Sequence, residues 1–169
     1  MRLTIAHSLH EMLKSSHVTR SSEMPRKHPP FWKTTPLEHL SPEAWESLCD
    51  GCAKCCLQKL EDEETREIYY TNIVCDLLDL ASCRCSDYPH RSSREPDCVT
   101  LKPEHLLDPY WLPPSCAYRL LAEGKDLPAW HPLVTGDPRS VEAAGHSVRG
   151  RVVPESEADA WEHHLIDWI

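Results

Sequence analysis

The stretch Cys49-Asp50-Gly51-Cys52-Ala53-Lys54-Cys55-Cys56 places four thiols in eight residues. A C-x-x-C step is the shortest common spacing that lets two thiolates grip one ion from a tight turn. Gly51 supplies the permissive backbone such a turn needs. Two overlapping C-x-x-C steps also match the run used by iron–sulfur clusters, where a fourth ligand comes from elsewhere. If the segment is extended, Cys55 and Cys56 point to opposite faces, which suits two ions or a bridged pair better than one. If it is helical, Cys49, Cys52 and Cys56 share a face.

Five further thiols follow at Cys75, Cys83, Cys85, Cys98 and Cys116, making nine in all. One tetrahedral zinc takes four thiolates, so nine is too many for a single site. Two four-thiolate sites would use eight and leave one spare. The count therefore favours two metals or a polynuclear thiolate cluster. Single cysteines are also common as small buried apolar residues, and Cys75 and Cys116 have the apolar neighbours for that use. His131, held between Pro128 and Pro132, is the best-placed nitrogen donor, although a packed histidine is the plainer reading. His163 and His164 suit a helix surface. Zinc and iron both accept tetrahedral sulfur, so the pattern does not separate them. Thiolate charge needs compensation, and Lys54, Lys59, Arg84, Arg91 and Arg94 lie near enough in sequence to donate to sulfur.

The rest of the chain makes a metal energetically useful. Leu, Ile, Val and Phe together make up 34 of 169 residues. That is close to the composition at which burial alone stops folding a charged chain. A structural metal adds on the order of 10 kcal/mol to small domains. The net charge of −9 argues against a general nucleic-acid binder and against adhesion to anionic membranes. No run approaches the roughly 18 apolar residues of a spanning helix. With no secretory pattern at the start, a reducing cytoplasm is expected, where clustered cysteines serve metals or redox chemistry more often than disulfides.

Residues 1–30 hold five basic and two acidic residues and lack Cys and Trp. They are expected to form a disordered tail; a later start at Met24 or an organelle transit peptide would account for the same composition. Residues 31–169 form the expected cysteine-cluster metal-binding domain. Thr35-Pro36-Leu37-Glu38 and Ser41-Pro42-Glu43 are helix-start signals, leading to a helix through Trp45 and Leu48 that ends at Asp50-Gly51. Strands are expected at Cys52–Leu60 and Arg66–Val74, joined as a hairpin by the acidic turn 61–65. A weaker strand is expected at Asp97–Leu101, a helix at Ser115–Glu123 with Gly124 as its stop, a strand at Ser147–Val153, and a closing helix at Ser156–Trp168. The sum is a small, loop-rich α+β single domain organised around a cysteine metal cluster.

CDGCAKCC at Cys49–Cys56 resembles the C-x-x-C-x-x-C-C signature of the YkgJ-like cysteine-cluster proteins, and the chain from Pro30 onward is similar to their YcgN-type bacterial branch. The likeness rests also on Cys75, on Cys85-Ser86-Asp87-Tyr88-Pro89-His90-Arg91, and on Cys98. Ser92 stands where that pattern has proline, and Cys83 becomes the extra thiol. The resemblance implies a cytoplasmic bacterial protein whose cysteine cluster chelates zinc or iron, with Tyr88 and Arg91 supporting rather than catalytic.

Three functions follow from these readings. The chain holds or senses zinc or iron; or it is an iron–sulfur redox protein or enzyme subunit; or structural zinc presents a surface to a protein partner. The segments around Trp111, Trp130, Trp161 and Trp168 would serve that surface, although core packing is the commoner use of tryptophan. No H-E-x-x-H, G-x-S-x-G or phosphate loop marks a catalytic centre, so whether the chain is an enzyme stays open.

Overall fold

A computed structural model describes residues 29–169. The expected disordered tail falls almost wholly outside the described residues. What is described is a small, loop-rich α+β domain with short elements. In order these are α1 (Phe31–Thr34), α2 (Pro42–Ser47), β1 (Leu57–Glu61), β2 (Ile68–Val74), β3 (Leu78–Asp79), β4 (Arg84–Cys85), α3 (Arg91–Arg94), α4 (Ala117–Ala122), α5 (Pro132–Thr135), α6 (Ser140–Ala143), β5 (Val153–Pro154) and β6 (Leu165–Ile166).

The hairpin is the organising element. β1 and β2 pair antiparallel, with Leu57 opposite Val74 and Glu61 opposite Ile68. An acidic turn joins them, and Asp62 Oδ1 accepts from the amides of Glu64 and Thr65. The ladder shifts register between Leu57 and Lys59, where Thr71 Oγ donates to Gln58 O at 2.8 Å. β2 carries the remaining pairings on its far edge. β5 runs parallel to it at Ile73–Val74, and β6 antiparallel at Tyr70–Thr71.

Two apolar clusters flank this sheet. One gathers Ala53, Leu57, Tyr70, Val74, Leu78, Cys83 and Val148, with Ile166 and Trp168 against it. The other gathers Leu48, Leu106, Leu112 and Tyr118, with Trp32, Trp45 and Trp111 against it. Leu48 belongs to the second cluster and Ala53 to the first, so the segment between them spans the gap between two small cores.

Several elements differ from expectation for identifiable reasons. Ser41 caps α2, its Oγ accepting the Ala44 amide at 3.2 Å, but the helix stops at Ser47. The first strand begins at Leu57 rather than Cys52, because Ala53 takes a left-handed turn (φ 61°) and Lys54–Cys56 form a 3-10 turn. No strand forms at Asp97–Leu101. There the Cys98 amide is used locally, donating to Glu95 O at 2.9 Å. Of Ser147–Val153 only Val153 joins a strand, since Gly150 (φ 71°) turns the chain first. The expected closing helix breaks into 3-10 turns at Glu155–Glu157 and Trp161–His164, followed by β6. The open edge of β2 offers Leu165–Ile166 ladder bonds that a helix could not use. Helix α4 matches expectation within two residues, and Gly124 follows it in the left-handed conformation.

Candidate metal centre

The Cys49–Cys56 segment is neither strand nor helix. Gly51 (φ 75°) and Ala53 (φ 61°) both take left-handed backbone. For Gly51 this is free of steric cost. For Ala53 it costs about 1–2 kcal/mol, which its buried packing must offset. A Cβ at position 51 would lie 3.4 Å from the Arg84 guanidinium, so Arg84 covers the turn closely. The two left-handed residues fold four cysteines into a compact knot between the two cores.

Mutual electrostatic influence sorts eight cysteines into two groups. The charge on Cys55 acts on Cys49, Cys52 and Cys116, making one group with Asp50 among them. Cys56 feels Cys75 and Cys98, and each of those two feels Cys85, making the second, with Cys98 also feeling Cys55 of the first. The groups adjoin through the vicinal pair. The Cys56 thiol donates to Cys55, which lowers Cys55 to about 7 with help from Lys59, while Cys56 is pushed far up.

Burial pushes Cys49, Cys52, Cys75, Cys98 and Cys116 upward. Desolvation, with Cys55 beside it, raises Cys49 to about 12. The residue itself keeps exposed surface. Desolvation also lifts Cys116 to about 11 and raises Cys52. The Leu77 amide donates to Cys75 Sγ at 3.4 Å and opposes the upward push there. The amides of Gly51, Lys54, Tyr118 and Arg119 face sulfurs of the first group in the same sense, without the short, aligned contact that Leu77 makes.

Cations stand beside both groups. Lys54 is only 1% exposed, and its Nζ donates to Ser115 Oγ at 3.2 Å. Desolvation lowers it against the pull of Cys52 and Asp50. Lys59 is lowered by burial against the pull of Cys55 and Cys56, and its Nζ donates to the carbonyls of Cys55 and Leu57. Arg91 lies over the Tyr88 ring and beside Cys98. Arg94 is directed elsewhere, pairing with Asp87 at 3.2 Å.

Two residues singled out in the sequence take other places. Cys83 is buried in the sheet-side apolar cluster, its sulfur 3.6 Å from Ser147 Oγ. His131 is 1% exposed and uses both ring nitrogens on backbone. Nδ1 accepts the Leu133 amide at 3.1 Å and Nε2 lies 3.0 Å from Leu48 O. That fixes it as a neutral histidine with Nε2 as donor, and burial lowers its pKa accordingly. His164 likewise is taken up by Asn72 and Asp159. The cysteine pattern alone gave no role to Asp50, which is 7% exposed. Its Oδ1 accepts the Cys52 amide at 2.9 Å, and its Oδ2 is buried without a hydrogen-bond partner. An acidic residue inside a C-x-x-C step was the available signal.

Among the described residues, no three Cys, His, Asp or Glu side chains already stand in ligating geometry. The donor set nonetheless fits a thiophilic cation. Eight soft donors lie in two adjoining groups, burial raises Cys49, Cys52 and Cys116 among them, and a buried carboxylate oxygen lacks a hydrogen-bond partner. No described helix is long and apolar enough to cross a membrane.

Comparison with known proteins agrees with this chemistry. Residues 48–117 match a family model of the C-x-x-C-x-x-C-C signature, described as a "putative zinc- or iron-chelating domain". The chain is 58% identical over 140 residues to a UPF0260 protein of Gluconacetobacter diazotrophicus, covering 83% of this chain and 88% of that one. It is 60% identical over 141 residues to one from Parvibaculum lavamentivorans, covering 82% and 92%. A third, from Azotobacter vinelandii, is 57% identical over 145 residues, covering 85% and 97%. No solved structure matches. Identity at this level, carried across nearly the whole length of the relatives, means that the chain belongs to the UPF0260 family.

Proposed function

We propose that this protein binds zinc or iron at two adjoining thiolate groups, Cys49/Cys52/Cys55/Cys116 and Cys56/Cys75/Cys85/Cys98, within the cytoplasm. The observation that supports the reading is the neighbourhood of the thiols. Eight of nine cysteines act on one another in two adjoining sets, linked through the vicinal pair Cys55–Cys56 and through Cys55 and Cys98, while the ninth packs in the core. Two tetrahedral thiolate sites need eight donors. We place the chain, more finely, in the YcgN-type branch of the YkgJ-like cysteine-cluster proteins.

A bound divalent ion would supply the positive charge that lets crowded thiols ionise. The chain's own residues do the rest. The left-handed turn at Gly51 and Ala53 aims the first cysteines together, and the hairpin brings Cys56 to Cys75. Lys54, Lys59 and Arg91 offset the thiolate charge that a divalent ion leaves uncompensated.

Anaerobic purification followed by elemental analysis and acid-labile sulfide assay tests this. About two equivalents of zinc or iron without sulfide is the expected result. Iron with stoichiometric sulfide would replace it with an iron–sulfur redox protein. Protein that takes up no metal under reducing conditions would overturn the proposal.

A further inference from the structure

One oxygen of the Asp50 carboxylate is unused beside the first thiol group. Asp50 is 7% exposed, so its charge is almost fully withdrawn from water. Oδ1 is committed to the Cys52 amide at 2.9 Å, which fixes the side chain's orientation. Oδ2 is buried with no partner in hydrogen-bond geometry, and the Cys52 thiol faces the same carboxylate. Folded chains avoid such groups, because a buried carboxylate oxygen with no donor loses its hydration without replacement. Lys54 is a nearby cation, yet its Nζ donates to Ser115 Oγ rather than to Asp50. The charge of Asp50 acts on Cys49, Cys52, Cys55 and Cys116, so the carboxylate lies near all four.

A polar atom that is oriented, buried and unpartnered among metal-type donors suits coordination. We propose that Asp50 Oδ2 is a direct ligand of the metal held by the first group, making that centre a mixed sulfur–oxygen site while the second stays all sulfur. This rests on the metal-binding reading above. A four-coordinate ion that takes Asp50 needs three of the four thiolates, and the net charge is the same as with four thiolates. Oxygen in the donor set makes this centre harder than its neighbour, disfavouring copper(I) relative to zinc or ferrous iron. The two centres then differ in affinity and exchange, although the C-x-x-C-x-x-C-C run supplies both.

Cadmium-113 NMR of the full chain tests this, because each centre gives its own resonance and oxygen ligation moves that resonance to higher field. The expected wild-type spectrum has one resonance in the all-sulfur region and one displaced from it. In Asp50→Asn the displaced signal moves into the all-sulfur region as the fourth thiolate is recruited. Zinc affinity at that centre falls by about tenfold or more, and the other centre keeps its own. Two all-sulfur resonances in the wild type would overturn the assignment, even if Asp50→Asn weakened binding, since Asp50 would then act only through its neighbours. The wild-type spectrum decides the matter if the variant does not fold. Absence of any bound cadmium would instead remove the metal-binding reading itself.

Discussion

The amide of Cys75 donates to the carbonyl of Cys56 at 3.1 Å, one step beyond the Leu57–Val74 pair that closes the hairpin. Two cysteines nineteen positions apart in sequence are therefore held together by main-chain pairing. This contact extends the C-x-x-C-x-x-C-C run toward its second group of thiols. On the metal-binding reading proposed above, the centre is an outgrowth of the sheet and ion binding is tied to folding.

Cys52→Ser and Cys55→Ser each remove a thiolate from the first group. Bound metal is expected to fall from about two equivalents to about one, with a large loss of stability, since a structural ion contributes on the order of 10 kcal/mol. Elemental analysis and thermal melts of the purified variants check this. Full metal content with unchanged melting in both would count against it.

Cys83→Ser is the contrasting case. Its sulfur packs among Leu57, Val74 and Val148 and lies near Ser147 rather than beside the other thiols. The variant should keep its full metal content and lose only about 1–3 kcal/mol of stability, from a polar hydroxyl in an apolar site. Metal loss in this variant would move Cys83 into the ligand set.

His131→Ala separates packing from ligation in the same way. Removing the ring leaves Leu48 O and the Leu133 amide without their partner, at a cost of about 1–3 kcal/mol. Melting should fall by several degrees, while metal stoichiometry stays at the wild-type value. A drop in bound metal with an intact fold would instead make His131 a nitrogen donor.

The metal-free protein should lose stability in alkali. Burial raises Cys49 to about 12 and Cys116 to about 11 from an ordinary 9.0. A thiol raised in the folded state is protonated there while the unfolded chain ionises, so its contribution is intact below pH 9 and is lost as pH climbs toward 11–12. Melts of chelator-treated, reduced protein should show a fall over that window. Metal-loaded protein has already released those protons, so it should hold its stability there and lose metal as pH is lowered. A flat alkaline profile of the metal-free form would contradict the burial of these thiols.

Lys54→Met tests the buried ammonium. Lys54 carries a buried positive charge beside Cys52 and Asp50. Its loss should weaken zinc at the first group by about tenfold, as for other supporting residues around a metal, without changing the number of ions bound. Competition with a chromophoric chelator measures the change. Unaltered affinity would make Lys54 a packing residue.

Local chemistry was legible in the sequence wherever it depended on short range. The C-x-x-C steps, Gly51 as a turn residue, the Ser41 cap, the β1–β2 hairpin and the Gly124 stop all follow from spacing and backbone preference among near neighbours. The surplus of one thiol over two tetrahedral sites was also countable. What lay beyond reach depended on pairing across distance. Leu165–Ile166 reads as helix by composition, yet it becomes strand because β2 presents an unfilled edge at Tyr70 and Thr71. Tertiary packing likewise chose Cys83 as the core thiol and spent both nitrogens of His131 on backbone. It also stranded Asp50 Oδ2 without a partner. Sequence determined which atoms could bind metal, because donor identity is a property of the residue. Only the fold decided which donors share a site, because that depends on where buried backbone and side chains must go to satisfy one another.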